Sequence, residues 1–89
     1  MPKYNVLIAD SVDEYLSKLD INERDRILKR LKLLEENPQS VGEQRGKFWL
    51  LKVGRDGYRL AFRIIEEEKI IRVTAIEQRK SRKYKEFYE

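Results

Sequence analysis

The chain has 89 residues, 20 of them Lys or Arg and 16 Asp or Glu, for a net charge of +4; this allows one domain, residues 1–89, with a thin core and a heavily charged exterior. It has no cysteine and no histidine, which excludes disulfides, thiol nucleophiles, cysteine-based zinc sites and every histidine acid–base scheme. Any chemistry falls to Lys, Arg, Tyr, Asp or Glu, with no metal or cofactor expected, and the lack of a long apolar run or signal-like N-terminus makes the cytoplasm the expected location.

Residues 3–9 (KYNVLIA) are short and apolar and predict a strand. Ser11-Val12-Asp13-Glu14 is a capping box, with Ser11 as the cap. Val12, Tyr15, Leu16 and Leu19 then fall at i, i+3, i+4 and i+7, one face of a short helix. Asp20-Ile21-Asn22-Glu23 is a second box, with Asp20 as the cap. Ile27, Leu31 and Leu34 line one face of the second helix, with Leu28 beside them, and Asn37-Pro38 ends it. The two helices are nearly contiguous and predict an αα-hairpin. Residues 37–46 read as a polar loop. Residues 47–53, 58–66 and 69–77 are rich in aromatic and β-branched side chains and predict three strands. Gly54-Arg55-Asp56-Gly57 joins the first pair and Glu67-Glu68 the second. The order β-α-α-β-β-β implies an α+β domain, its helical hairpin packed on one face of a mostly antiparallel, four-stranded sheet.

Pairing across these turns sets Lys52 opposite Arg59, Trp49 opposite Phe62, Arg63 opposite Arg72 and Phe62 opposite Val73. Alternation then assigns Trp49, Leu51, Leu60, Phe62, Ile64, Ile71, Val73 and Ala75 to a core face. The opposite face carries Lys52, Arg59, Arg63 and Arg72, together with Phe48, Leu50, Ala61, Thr74 and Ile76. Like charges directly opposite one another destabilise a sheet, so four cations there suggest a polyanionic ligand. On this reading Arg59→Ala leaves stability about level. Residues 78–85 (QRKSRKYK) hold five basic and no acidic side chains, leaving 15 basic and 16 acidic elsewhere. The positive charge is therefore local to the C-terminal segment, a footprint for polyanions unless it is a solvated tail.

The segment Trp49-Leu-Leu-Lys-Val-Gly-Arg-Asp-Gly-Tyr-Arg-Leu-Ala-Phe resembles the basic strand, glycine-containing turn and Tyr-Arg strand of the RelE/ParE toxin superfamily. The strand-helix-helix start, the Asn37-Pro38 stop, the Arg45-Gly46 pair and the closing Ile76-Glu77-Gln78-Arg79-Lys80 followed by tyrosines fit the same pattern. The resemblance implies a RelE-like toxin of a type II toxin-antitoxin system. Such a toxin cleaves mRNA in the ribosomal A site by attack of a 2′-hydroxyl on the adjacent phosphate, without a metal, and is held by a RelB-like antitoxin. Carried over by position, the family's catalytic residues fall on Lys52, Arg59, Arg79 (or Lys80 with a one-residue shift) and Tyr84 (or Tyr88). Arg63, Arg72, Lys80, Arg82 and Lys83 would then bind RNA. Arg59 suits the charged transition state because a guanidinium holds two phosphate oxygens. Lys52, beside that cation, would act as general base, Arg79 would support the phosphate or leaving oxygen, and Tyr84 would stack on a base.

Two positions depart from the family pattern. Leu50 stands where a first basic residue is expected, and Gln78 where a histidine often precedes the late arginine. They keep open a catalytically weakened RNA- or ribosome-binding relative. A ParE-like toxin acting on DNA gyrase, and a generic basic RNA-binding domain with Phe48 exposed for stacking, also fit the composition. Phe48, Leu50, Ile76 and the helix faces are the expected contacts for an antitoxin.

Overall fold

The computed structural model describes residues 3–54 and 57–78. In chain order the elements are β1 (Asn5–Ile8), α1 (Asp10–Ser17), α2 (Ile21–Leu33), α3 (Pro38–Val41), β2 (Glu43–Arg45), β3 (Phe48–Val53), β4 (Tyr58–Ile65) and β5 (Ile70–Gln78). The fold is α+β as expected, but the sheet is five-stranded and mixed, in the order β1-β5-β4-β3-β2. The additional strand is β2, and with α3 it lies within residues expected to be loop. Glu43, Gln44 and Arg45 carry no apolar alternation, so nothing in their composition marks a strand. They pair because Gly46, at φ 60°, opens a two-residue turn that folds Arg45 back on Phe48. Glycine at the first central position is the requirement of a tight hairpin turn of this hand.

α1 starts two residues earlier than the Ser11 box implies. Ala9 occupies the cap and gives no side-chain hydrogen bond. Its N–H donates to Val73 O while its carbonyl accepts from Val12 and Asp13 N–H. The chain therefore turns into helix directly from the last bond of β1, leaving Ser11 in the first turn. At α2 the expected cap is in place: Asp20 Oδ1 accepts from Asn22 N (2.8 Å) and Glu23 N (3.1 Å). Pro38 opens α3, where its missing N–H costs no helix bond.

The helices cover one face of the sheet. Val12, Leu16, Ile27, Leu31 and Leu34 are buried against Leu51, Val53, Tyr58, Leu60, Phe62, Ile71 and Val73. Trp49 stacks on Phe62, with ring centroids 6.3 Å apart. β3 and β4 pair in the register inferred from their alternation, Lys52 opposite Arg59 and Trp49 opposite Phe62. β4 and β5 do so from Ile65–Ile70 as far as Phe62–Val73.

Beyond that pair a register shift between Ala61 and Phe62 sets Ala61 opposite Ala75, Leu60 opposite Ile76 and Arg59 opposite Glu77. Thr74 is thereby the extra residue of a bulge, which exchanges the faces of the residues after it. Ile76 packs against the core, and Ala75 joins the cationic face. Their expected places are thus reversed, for a reason that no alternation pattern contains.

Candidate phosphate-binding face

The sheet face turned away from the helices carries Lys52 from β3, Arg59 and Arg63 from β4, and Arg72 from β5. Lys52 lies directly opposite Arg59 and Arg63 directly opposite Arg72. Lys52, Arg63 and Arg72 are exposed. Arg63 lies over the Phe48 ring, 5.3 Å from its centroid, which fixes the guanidinium over an aromatic face. The remaining expected site residues, Arg79, Lys80, Arg82, Lys83 and Tyr84 with its alternative Tyr88, lie outside the described residues.

The centre of this face is more enclosed than its alternation suggests. Arg59 is only 8 % exposed and Leu50 is 1 % exposed. Leu50 therefore does not offer an apolar contact for a partner. With β2 in place, β3 is an inner strand, and Leu50 lies between Glu43 and Ala61 on its two neighbours. Ile76 is withdrawn from the same role by the bulge, and Phe48 is half-buried. Among the described residues, the large apolar side chains most open to solvent are Leu7 on β1 and Ile21, Leu28 and Leu33 on α2.

Two carboxylates enter the cationic set that the sequence pattern did not place there. Glu43 Oε2 lies 3.2 Å from Lys52 Nζ, and Glu43 Oε1 lies 2.8 Å from Arg45. The hydrogen bond from Lys52, with the Arg45 charge behind it, holds the Glu43 carboxyl below its ordinary value. A lysine engaged in this way must leave its carboxylate and give up its own ammonium proton before it can take one from a hydroxyl. Glu43 was hidden because β2 was. The second carboxylate is Glu77, opposite Arg59. Its burial pushes its carboxyl above the ordinary value, while the Arg59 charge opposes that rise.

A cavity of about 400 Å³ opens at the Gly54–Gly57 end of the sheet, lined by Glu23, Arg26, Val53, Gly54, Gly57, Tyr58 and Gln78. None of these is an expected site residue. Tyr58 donates its hydroxyl to Glu23 Oε2 at 3.0 Å and meets Tyr15 edge-on. Burial first, then the bonded Glu23 carboxylate, raises the Tyr58 phenol above its ordinary value. Glu23 thus ties the first turn of α2 to β4 instead of closing the capping box on Asp20.

No family model matches the sequence, and no curated protein matches it. Solved structures do. The isolated E. coli RelE toxin superposes with a TM-score of 0.74 at 24 % identity, covering 94 % of this chain and 94 % of that one. The intact E. coli RelBE toxin-antitoxin complex gives 0.75 at 22 % identity, over 88 % of this chain and 99 % of that one. A RelBE toxin-antitoxin complex from Mycobacterium tuberculosis gives 0.74 at 23 % identity, over 89 % of this chain and 100 % of that one. The chain therefore has the RelE fold, over nearly its whole length.

Proposed function

We propose that this chain is the toxin of a type II toxin-antitoxin pair and a metal-independent endoribonuclease that cleaves mRNA in the ribosomal A site. The observation that carries the reading is the cationic face: on a RelE fold, Lys52 faces Arg59 and Arg63 faces Arg72 across neighbouring strands. Stability alone would favour opposite charges at such positions. A chain of phosphates repays that arrangement, since each neutralised phosphate releases condensed counterions.

In the proposed reaction the ribose 2′-oxygen attacks the adjacent phosphorus and loses its proton to a base. The bond to the 5′-oxygen breaks, leaving a cyclic phosphate and a 5′-hydroxyl. Arg59 holds the non-bridging oxygens as charge builds on them. Lys52 is the proposed base, acting as the neutral amine once it has left Glu43 and given up its ammonium proton to solvent as RNA enters. Arg79 and Tyr84 complete the set by their match to the family pattern, and Arg63, Arg72, Lys80, Arg82 and Lys83 track the backbone. A RelB-like antitoxin is the proposed partner. With Leu50 and Ile76 withdrawn, its apolar contacts fall on Ile21, Leu28 and Leu33 of α2. The cytoplasm, where translating ribosomes are, is the proposed location.

One observation favours a second reading. Arg59 is nearly buried and Lys52 is ion-paired, and Leu50 offers no charge, which suits a weakened relative that binds RNA or ribosomes without cutting. A translating extract separates the two. Purified protein is added and mRNA ends are mapped by primer extension. New ends within the A-site codon, lost by about 100-fold or more in Arg59→Ala, support the nuclease. Arg59→Lys does not restore them in full, because lysine lacks the two-pronged geometry. An extract with stalled translation and intact mRNA favours the binder.

A further inference from the structure

We propose that the cavity at the Gly54–Gly57 end of the sheet is a guanine-binding subsite for RNA, in which the Glu23 carboxylate takes the adjacent N1 and N2 donors of the base and the Arg26 guanidinium takes its O6. That the base comes from RNA rests on the reading of the neighbouring sheet face as a phosphate site. The recognition of guanine does not.

The cavity holds about 400 Å³, within the range of small-ligand sites, roughly 300–1,000 Å³. Glu23 and Arg26, both among its lining residues, stand at i and i+3 of α2 and so share one face of the helix. Among the described residues they form no ion pair with each other, and Arg26 forms none with any other carboxylate. The Arg26 side chain reaches the β3–β4 turn, its Nη1 lying 3.9 Å from the place of a Cβ on Gly54. Glu23 is half-buried and held in orientation by the Tyr58 hydroxyl, which donates to its Oε2 at 3.0 Å. Tyr58 is itself braced edge-on by Tyr15. Each carboxylate oxygen accepts at more than one position, so this bond leaves both oxygens able to take further donors.

A fixed acceptor and a separate donor on one wall select the ligand. An anion alone would meet Glu23 as a like charge, and a cation alone would meet Arg26. A neutral ligand with donors and an acceptor along one edge satisfies both. Among the RNA bases only guanine has two adjacent donors beside an acceptor on its pairing edge, and unpaired bases are read along that edge. An arginine is also a good donor to guanine O6. The strand pair Val53–Tyr58, which lines the cavity, is the next along the hairpin from Lys52–Arg59, and alternation turns the two pairs to opposite faces. A base in the cavity therefore lies across the end of the sheet from a phosphate on the cationic face.

The test uses the whole chain and nucleoside monophosphates, which share a phosphate and differ in the base. Amide resonances of Gly54, Gly57 and Tyr58 are followed by NMR as each is added. Guanosine monophosphate should shift them saturably. Inosine monophosphate, which lacks only the N2 amine, should bind less tightly by about tenfold, and the adenosine, cytidine and uridine compounds should bind more weakly still. No saturable shift with guanosine monophosphate, or equal binding of the inosine compound, overturns the proposal. These measurements use the unaltered chain and do not depend on a variant folding. Glu23→Gln, whose amide can still accept from Tyr58, should lose the preference for guanine over adenine, and a preference that persists also overturns the proposal. A 2′-O-methyl RNA oligomer with one guanosine should shift the same amides at lower concentration than the monophosphate. If it leaves them unmoved, the assignment to RNA fails. Guanine binding with intact mRNA in the translating extract would keep the subsite and remove the nuclease. New mRNA ends without guanine preference would do the reverse.

Discussion

At the scale of single residues, the consequential pair is Arg59 and Glu77. Repulsion between Lys52 and Arg59 by itself implies that Arg59→Ala leaves stability level. With a buried carboxylate opposite Arg59, that expectation changes sign. Removing the guanidinium strands the Glu77 charge, and we expect a loss of about 1–3 kcal/mol at neutral pH. The loss should shrink in acid, where Glu77 is neutral, and urea unfolding at several pH values measures both. The wild type should also respond to pH through Glu77. A carboxyl raised in the folded state makes the native protein bind more protons than the unfolded chain between 4.5 and the folded value. Stability conferred by this group is therefore full below that window and declines as pH rises through it. Glu77→Gln should abolish that decline, and an unchanged profile would remove Glu77 as its source. Glu43 acts in the opposite sense: its lowered carboxyl contributes above its ordinary value, and the contribution fades as pH falls through the folded value.

At the scale of elements, the bulge in β5 gives the most discriminating substitutions. Unbroken alternation puts Ala75 in the core and Ile76 outside, and the structure reverses them. Ile76→Lys should therefore cost about 1–3 kcal/mol of buried apolar surface. Ala75→Lys, half-buried on the opposite face, should cost clearly less than Ile76→Lys, because it removes no large apolar side chain from the core. Thermal melts of the two variants decide it, and equal effects would contradict the register. A third variant checks α3 and β2. A Cβ on Gly42 would lie 2.5 Å from Phe62 Cζ, so Gly42→Ala should overpack the core by about 1–3 kcal/mol. These elements also show where the sequence is readable. Apolar period marked the buried faces of α1 and α2 and the β3–β4 register, because burial alone fixes those. Asp20 was legible as a cap because its side chain makes the bond itself. Ser11 was not, because α1 starts under the control of a backbone bond to β5. β2 and the bulge are set by a glycine turn and by neighbouring strands, which local composition does not carry. Of the site, four cations on one face were legible. Glu43 and Glu77 were hidden behind those two irregularities.

At the scale of the whole molecule, charge is distributed so that binding and folding depend differently on salt. The +4 net charge arises from residues 78–85, and the rest is nearly balanced. Arg82→Ala with Lys83→Ala should weaken RNA or ribosome binding and flatten its salt dependence by one counterion or more. An unchanged slope in a filter-binding series would return that segment to solvent. Topology adds a constraint of a different kind. β1, the first of the described elements, pairs in parallel with β5, Asn5 against Ile70 through Ile8 against Val73, and among the described residues has no other strand neighbour. Contacts of such long sequence separation form late and slowly. Until residue 70 has been added, β1 is an apolar strand without its neighbour, and α1 lacks the sheet edge that starts it. A chain released early, from a message cut upstream of that codon, cannot assemble the sheet that carries Arg59 and Glu77. If the protein severs its own transcript, the fragments it leaves behind are therefore inert, and their unsatisfied strand edges mark them for aggregation or proteolysis.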